Sequence, residues 1–345
     1  MKIVYIFCVL LSLCVPVSAL EIEPPEVPAA GRASMPETTT TFGDGLWELL
    51  QKTVSFIRPE FADASQKCLS IIISVLILSL FPLTANSNSI LADVCGAVVI
   101  SAILVEKSHS MISLATEMIR EISDYAKLLF PVMTTAMAAQ GGVTTSAALY
   151  TGTAFLNAVL SGFISQCLIP FVYLFLAFAV GNCAVGEDIL KKIKDMLKSL
   201  SGWVLKIILT VFTTYMSITG VVSGTTDAAA LKAAKITISS VVPIVGGIMS
   251  DASEAVLVSA ALMKNAAGVY GILAILALFL EPFLRIGTQY LLLKATGTVC
   301  SILGTKSIAG LIEDFSSAMG LLLAMTGTCC LMILISTICF MKGVG

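Results

Sequence analysis

The chain alternates long apolar runs with short charged stretches, and this alternation restricts its fold more than any other feature. Apolar runs cover about residues 68–83, 90–105, 167–185, 202–222, 266–284 and 316–341. A hydrocarbon core about 30 Å thick takes about 20 helical residues to cross. It offers no water to an unpaired amide or carbonyl, so each run must close its own hydrogen bonds as a helix. Composition agrees: the 345 residues are 57% hydrophobic and 12% charged, whereas a soluble domain is about 45–50% apolar and about 25% charged. The pattern predicts an all-α, polytopic helical membrane protein with about six to eight membrane segments.

The N-terminal end has a different character. Lys2, an apolar run to Val15 and then Val17-Ser18-Ala19 have the three parts of a secretory signal peptide, residues 1–19, with an uncleaved anchor as the alternative. Residues 20–41 are rich in Pro, Glu and Thr without an apolar period and predict a disordered extracytoplasmic tether. Over 42–66 the positions Leu46, Leu49, Leu50, Thr53 and Ile57 recur at helical spacing beside Trp47, which predicts an amphipathic interfacial helix. The polytopic domain then occupies 67–345.

Within that domain the runs at 68–83 and 90–105 read as a helical hairpin, turned at Asn86-Ser87-Asn88-Ser89. Residues 106–130 set Met111, Leu114, Met118, Ile122, Tyr125 and Leu129 against Glu117, Arg120, Glu121, Asp124 and Lys127. This is an interfacial or partner-facing helix that Pro131 should end. Residues 131–166 are rich in small side chains and broken at Gly141-Gly142; they fit either two half-helices dipping into the membrane or one weakly hydrophobic span.

Sidedness follows from the lysines. Lys191, Lys192, Lys194 and Lys198 form the densest basic cluster, with Ile189, Ile193, Met196 and Leu197 opposite. The positive-inside rule assigns this face to the cytoplasm. The next run returns to the outside, which places 225–265 on the extracytoplasmic face. That stretch spaces Asp227, Lys232, Lys235, Asp251, Glu254 and Lys264 through small residues and breaks at Pro243, Gly246 and Gly247. Thr226 or Asp227 can cap one helix and Ser250 or Asp251 a second. The product is a polar helix-break-helix, either a connector on the membrane surface or a re-entrant element lining a cavity.

The same residues carry a resemblance. Asp227 with Ala230-Leu-Lys-x-Ala-Lys235, Val242-Pro-Ile-Val-Gly246, Asp251-x-x-Glu254 and Lys264-Asn265-Ala-x-Gly268 resemble the signature region of the stage III sporulation protein AE family of endospore-forming bacteria. The resemblance implies a multi-pass subunit in the mother-cell-derived membrane around the forespore. It implies a permease-like or platform role in a channel or secretion complex needed for late forespore development. The implied partners are other stage III A proteins, including a cytoplasmic ATPase and ring-forming subunits, and stage II sporulation protein Q across the intermembrane space. A homo-oligomer is compatible with it.

Chemistry is sparse. His109 is the one histidine, there is no Cys-x-x-Cys, and neither a phosphate-loop motif nor His-Glu-x-x-His occurs. No catalytic residue, metal ligand or cofactor site is expected, and the protein is read as no enzyme. A net charge of −2 lacks the basic stripe that nucleic acid requires. The ten cysteines sit mainly in or beside apolar runs, as small buried hydrophobes do. Lys206 and Glu281 lie within apolar runs; because charge in hydrocarbon is costly, they are expected to approach each other inside the bundle or, for Lys206, to snorkel. Finally, Thr134-Thr135-x-Met137-x3-Gly141 is echoed 79 residues on (213 − 134) by Thr213-Thr214-x-Met216-x3-Gly220. An Ala/Thr/Gly-rich composition can produce such a match; a true repeat would mark two halves around a shared path, as in a stand-alone secondary transporter of a small solute. A non-conducting membrane scaffold is the other alternative.

Overall fold

The computed structural model describes residues 25–36, 42–84, 89–139, 143–218, 266–302 and 306–343. Among them every regular element is helical: α1 Ala29–Arg32, α2 Phe42–Thr84, α3 Ser89–Ala139, α4 Val143–Phe163, a π-helical turn Ile164–Leu168, α5 Ile169–Val185, α6 Asp188–Ile218, α7 Ala266–Ile302 and α8 Lys306–Gly343. Among the described residues five stretches are long and apolar enough to cross a membrane: Val98–Thr135, Tyr150–Val185, Asp188–Met216, Gly268–Ile302 and Lys306–Phe340. The chain is thus a helical, multi-pass membrane protein. The expected span at 68–83 lies within α2, and the signal peptide at 1–19 lies outside the described residues.

Side-chain contacts fix the direction of each rod. Cys183 meets Ser307 and Asn157 meets Ser336, so α4 and α5 run antiparallel to α8. Lys194 meets Asp314 and Lys198 meets Ser317, so α6 runs parallel to it. Phe130 stacks on Phe340 with ring centroids 5.4 Å apart, placing the end of α3 beside the end of α8. The rods therefore alternate up and down around α8, which packs against α3, α4, α5, α6 and α7. Of the residues in its most apolar stretch 94% are buried, which makes α8 the axis of the bundle. The helix α2 lies outside, against α3 and α7.

Several boundaries differ from those the sequence predicts. The 90–105 run and the 106–130 amphipathic segment are one helix, and α3 continues through Pro131. Proline removes one amide donor, but Leu129, Phe130 and Met133 on either side are buried. Packing by neighbouring helices lets membrane helices tolerate such a residue. Likewise α2 joins the expected interfacial helix and the 68–83 run into a single rod. The segment expected as a tether packs over 25–36: Val27 is buried, and a Cβ on Gly31 would meet Leu278 of α7 at 3.0 Å.

Pro170 is the second residue of α5, which follows directly on the π-turn. Its ring would crowd the carbonyl four residues back, and the wider turn accommodates it. At the far end Gly186 stands at φ 74°, in the left-handed region, and its N–H donates to Asn182 O at 2.9 Å. A residue without Cβ closes the helix here and reverses the chain into α6.

Candidate functional site

Two charged clusters join helices inside the bundle. In the first, Lys194 Nζ of α6 lies 2.6 Å from Asp314 Oδ2 of α8, and Lys194 is only 7% exposed. One turn on, Lys198 Nζ donates to Ser317 Oγ at 2.9 Å. Lys191 and Lys192 are exposed. The four lysines expected to share one cytoplasmic basic face are therefore divided: two face outward and two face α8. The apolar positions are divided too: Ile189 and Met196 are 66% and 59% exposed, whereas Leu197 is buried and Ile193 packs against the core. The buried side of α6 thus carries Lys194 together with Leu197. Sequence reasoning passed over Asp314; an acid at the entrance to an apolar run was the available signal.

The second cluster centres on Arg285 of α7. Its guanidinium reaches Glu281 Oε1 at 2.7 Å within the same helix and Glu60 Oε1 of α2 at 2.9 Å. Gln289, one turn further, is 7% exposed, and its Oε1 accepts no hydrogen bond among the described residues. Glu60, Lys107, Arg285 and Gln289 line a small cavity of about 10 Å³. The expected approach of Lys206 to Glu281 is not what the structure shows. Glu281 is paired with Arg285, whereas Lys206 is exposed on α6, a helix that packs on α5 and α8. An arginine one turn away on the same helix satisfies Glu281 locally.

A third link lies where α5 and α8 meet. Ser307 Oγ donates to Cys183 O at 3.2 Å, and Cys183 Sγ lies 3.4 Å from Ser307 Oγ. Cys68, Cys300, Cys329, Cys330 and Cys339 are buried.

Asp227, Lys232, Lys235, Pro243, Gly246, Gly247, Asp251, Glu254 and Asn265 lie outside the described residues. The rods that flank them open at one end of the bundle. Met216, near the end of α6, meets Thr153 of α4, and Gly271, near the start of α7, faces Leu129 of α3. The Lys194–Asp314 pair and the Cys183–Ser307 contact mark the opposite end.

Comparison with known proteins supplies what the geometry does not. Residues 40–345 match the family model described as Stage III sporulation protein AE. Over 210 residues the chain is 21% identical to Stage III sporulation protein AE of Bacillus subtilis (strain 168), a match covering 61% of this chain. It spans about half, 53%, of that protein's length. No solved structure matches the chain.

Proposed function

The chain belongs to the stage III sporulation protein AE family, and from that premise we propose that it is the membrane platform, or permease-like subunit, of a sporulation complex linking mother cell and forespore. Membership makes it a sporulation protein, and its apolar helices make it a multi-pass membrane protein. The finer role rests on one observation: α8, with 94% of the residues in its most apolar stretch buried, fills the axis along which a pore through a single subunit would run. A bundle solid at its centre suits a platform that holds other subunits, with any conduit at its perimeter or between subunits. The work of transport then falls to a cytoplasmic ATPase, and this chain contributes no hydrolysis. Ring-forming stage III A proteins and stage II protein Q are the partners this reading requires, in the mother-cell-derived membrane around the forespore.

A deletion in the source bacterium, scored by microscopy and a reporter of late forespore transcription, tests the role. Completed engulfment followed by forespore shrinkage or transcriptional silence supports it. Normal spores would refute it. A stand-alone transporter is favoured by one feature, the echo at Thr134 and Thr213. Both threonines bond the carbonyl four residues back, at 2.7 Å and 2.8 Å, on α3 and α6, two rods that run parallel to α8. Substrate movement by the purified protein alone would establish that reading.

A further inference from the structure

Where α3, α4 and α8 meet, a cavity of about 70 Å³ is lined by Ser123, Ala126, Tyr150, Ala154, Asn157 and Ile333 among others. Each of the three helices contributes a stretch apolar enough to span a membrane, yet two of the lining residues carry a buried polar atom that has no hydrogen-bond partner among the described residues, Asn157 Oδ1 and Ser123 Oγ. The orientation of Asn157 is determined by its neighbours. Its Nδ2 donates to Thr153 O at 3.1 Å and to Ser336 Oγ at 2.9 Å. A carbonyl can only accept, so the nitrogen must face Thr153. The hydroxyl of Ser336 spends its own proton on Met332 O at 2.7 Å and can therefore accept from Asn157. Both amide protons are consumed, and the group left over is an acceptor on a side chain only 5% exposed.

An acceptor buried in this way is costly unless something donates to it. The space is several times the roughly 10–15 Å³ that one water needs. The approach to it is polar as well: Glu117, Arg120, Asp124 and Lys127 are exposed along the outer side of α3, with Lys127 Nζ 2.8 Å from Asp124 Oδ1 and Lys127 itself on the cavity lining. A run of charges is poorly suited to hydrocarbon, whereas Phe155, on the neighbouring face of α4, is 68% exposed and apolar, as a lipid-facing residue would be.

We propose that the α3–α4–α8 junction is a hydrated recess at membrane depth. Its ligand is water, which donates to Asn157 Oδ1 and bonds the Ser123 hydroxyl, and it is entered past the charged edge of α3. This assignment does not depend on which partners the protein has. It identifies a side of the bundle where a polar solute can reach the interior although the axis is filled.

Cysteine accessibility in native membranes tests it, with full-length Ala154→Cys, Ala158→Cys and Phe155→Cys proteins and a charged, membrane-impermeant maleimide applied to both faces. Residue-resolved mass spectrometry leaves the native cysteines in place. The recess positions should label about tenfold faster than position 155, because the reaction needs a hydrated thiolate. Labelling at 154 and 158 as slow as at 155 overturns the recess. Labelling at 155 as fast as at 158 overturns its placement at membrane depth, since α4 would then stand in water. Asn157→Leu removes the acceptor and should slow labelling of Ala158→Cys by a similar factor; an unchanged rate would overturn the role given to Asn157.

Discussion

Removing Lys194 should destabilise the bundle far more than removing Lys194 and Asp314 together. At 2.6 Å and an effective dielectric constant near 20, the two charges attract by about 6 kcal/mol. Withdrawing both from water costs several kcal/mol per ion, so the net worth of the pair is small. Lys194→Met abolishes the attraction and leaves the Asp314 carboxylate in its half-closed site, with side-chain exposure of 15%. The expected loss is about 3–5 kcal/mol, reduced by whatever Lys198 next to it can supply. The double variant Lys194→Met/Asp314→Leu replaces the pair with apolar groups and should return to within about 1 kcal/mol of the parent. A double-mutant cycle by denaturant titration in detergent micelles reads the coupling directly. If Lys194→Met alone costs under about 1 kcal/mol, or the two changes simply add, the pair does not act as a buried bridge and the reasoning fails.

Other consequences can be checked in the same preparation. Arg285→Met strands Glu60 and Glu281 together and should cost about 1–3 kcal/mol, whereas Glu281→Gln, which leaves the Glu60 contact at 2.9 Å, should cost less; the reverse order in thermal melts would contradict the geometry. Gly186→Ala forces a Cβ into a φ of 74° and should destabilise by about 1–2 kcal/mol, measurable as a lower melting temperature without loss of helix signal. Lys192 is exposed at the end of the bundle where α5 and α6 meet, and the positive-inside rule puts that end in the cytoplasm. Lys192→Cys should therefore react with an impermeant reagent only after cells are opened, and reaction in intact cells would reverse the orientation.

The fold class could be read from the sequence because hydrocarbon admits few solutions: a run such as 316–341 can only be a helix, and it proved to be most of α8. Joints between elements were harder to read. Pro131 and the charged residues that follow the 90–105 run argue locally for boundaries, yet α3 is one continuous helix through both. Partners were harder still. The lysines of α6 were legible as a face, but which of them is buried depends on Asp314, 120 positions away. Glu281 was expected to approach Lys206, whereas its carboxylate lies 2.7 Å from Arg285, which lay in what read as the next segment. Asn157 gave no sequence signal at all, since an amide in an Ala-rich helix acquires its meaning only from Ser336 across the bundle.

The central position of α8 has a bearing on biogenesis. The ribosome produces α8 after every one of the five rods that touch it, so those rods must enter the bilayer around a space that is not yet filled. Until α8 arrives, Lys194 has no Asp314 and the Asn157 amide has no Ser336. The nascent bundle must shelter these groups with lipid headgroups, water or an insertion factor. Its interior is completed in one late step, and a chain cut short before Lys306 would have no core to close upon.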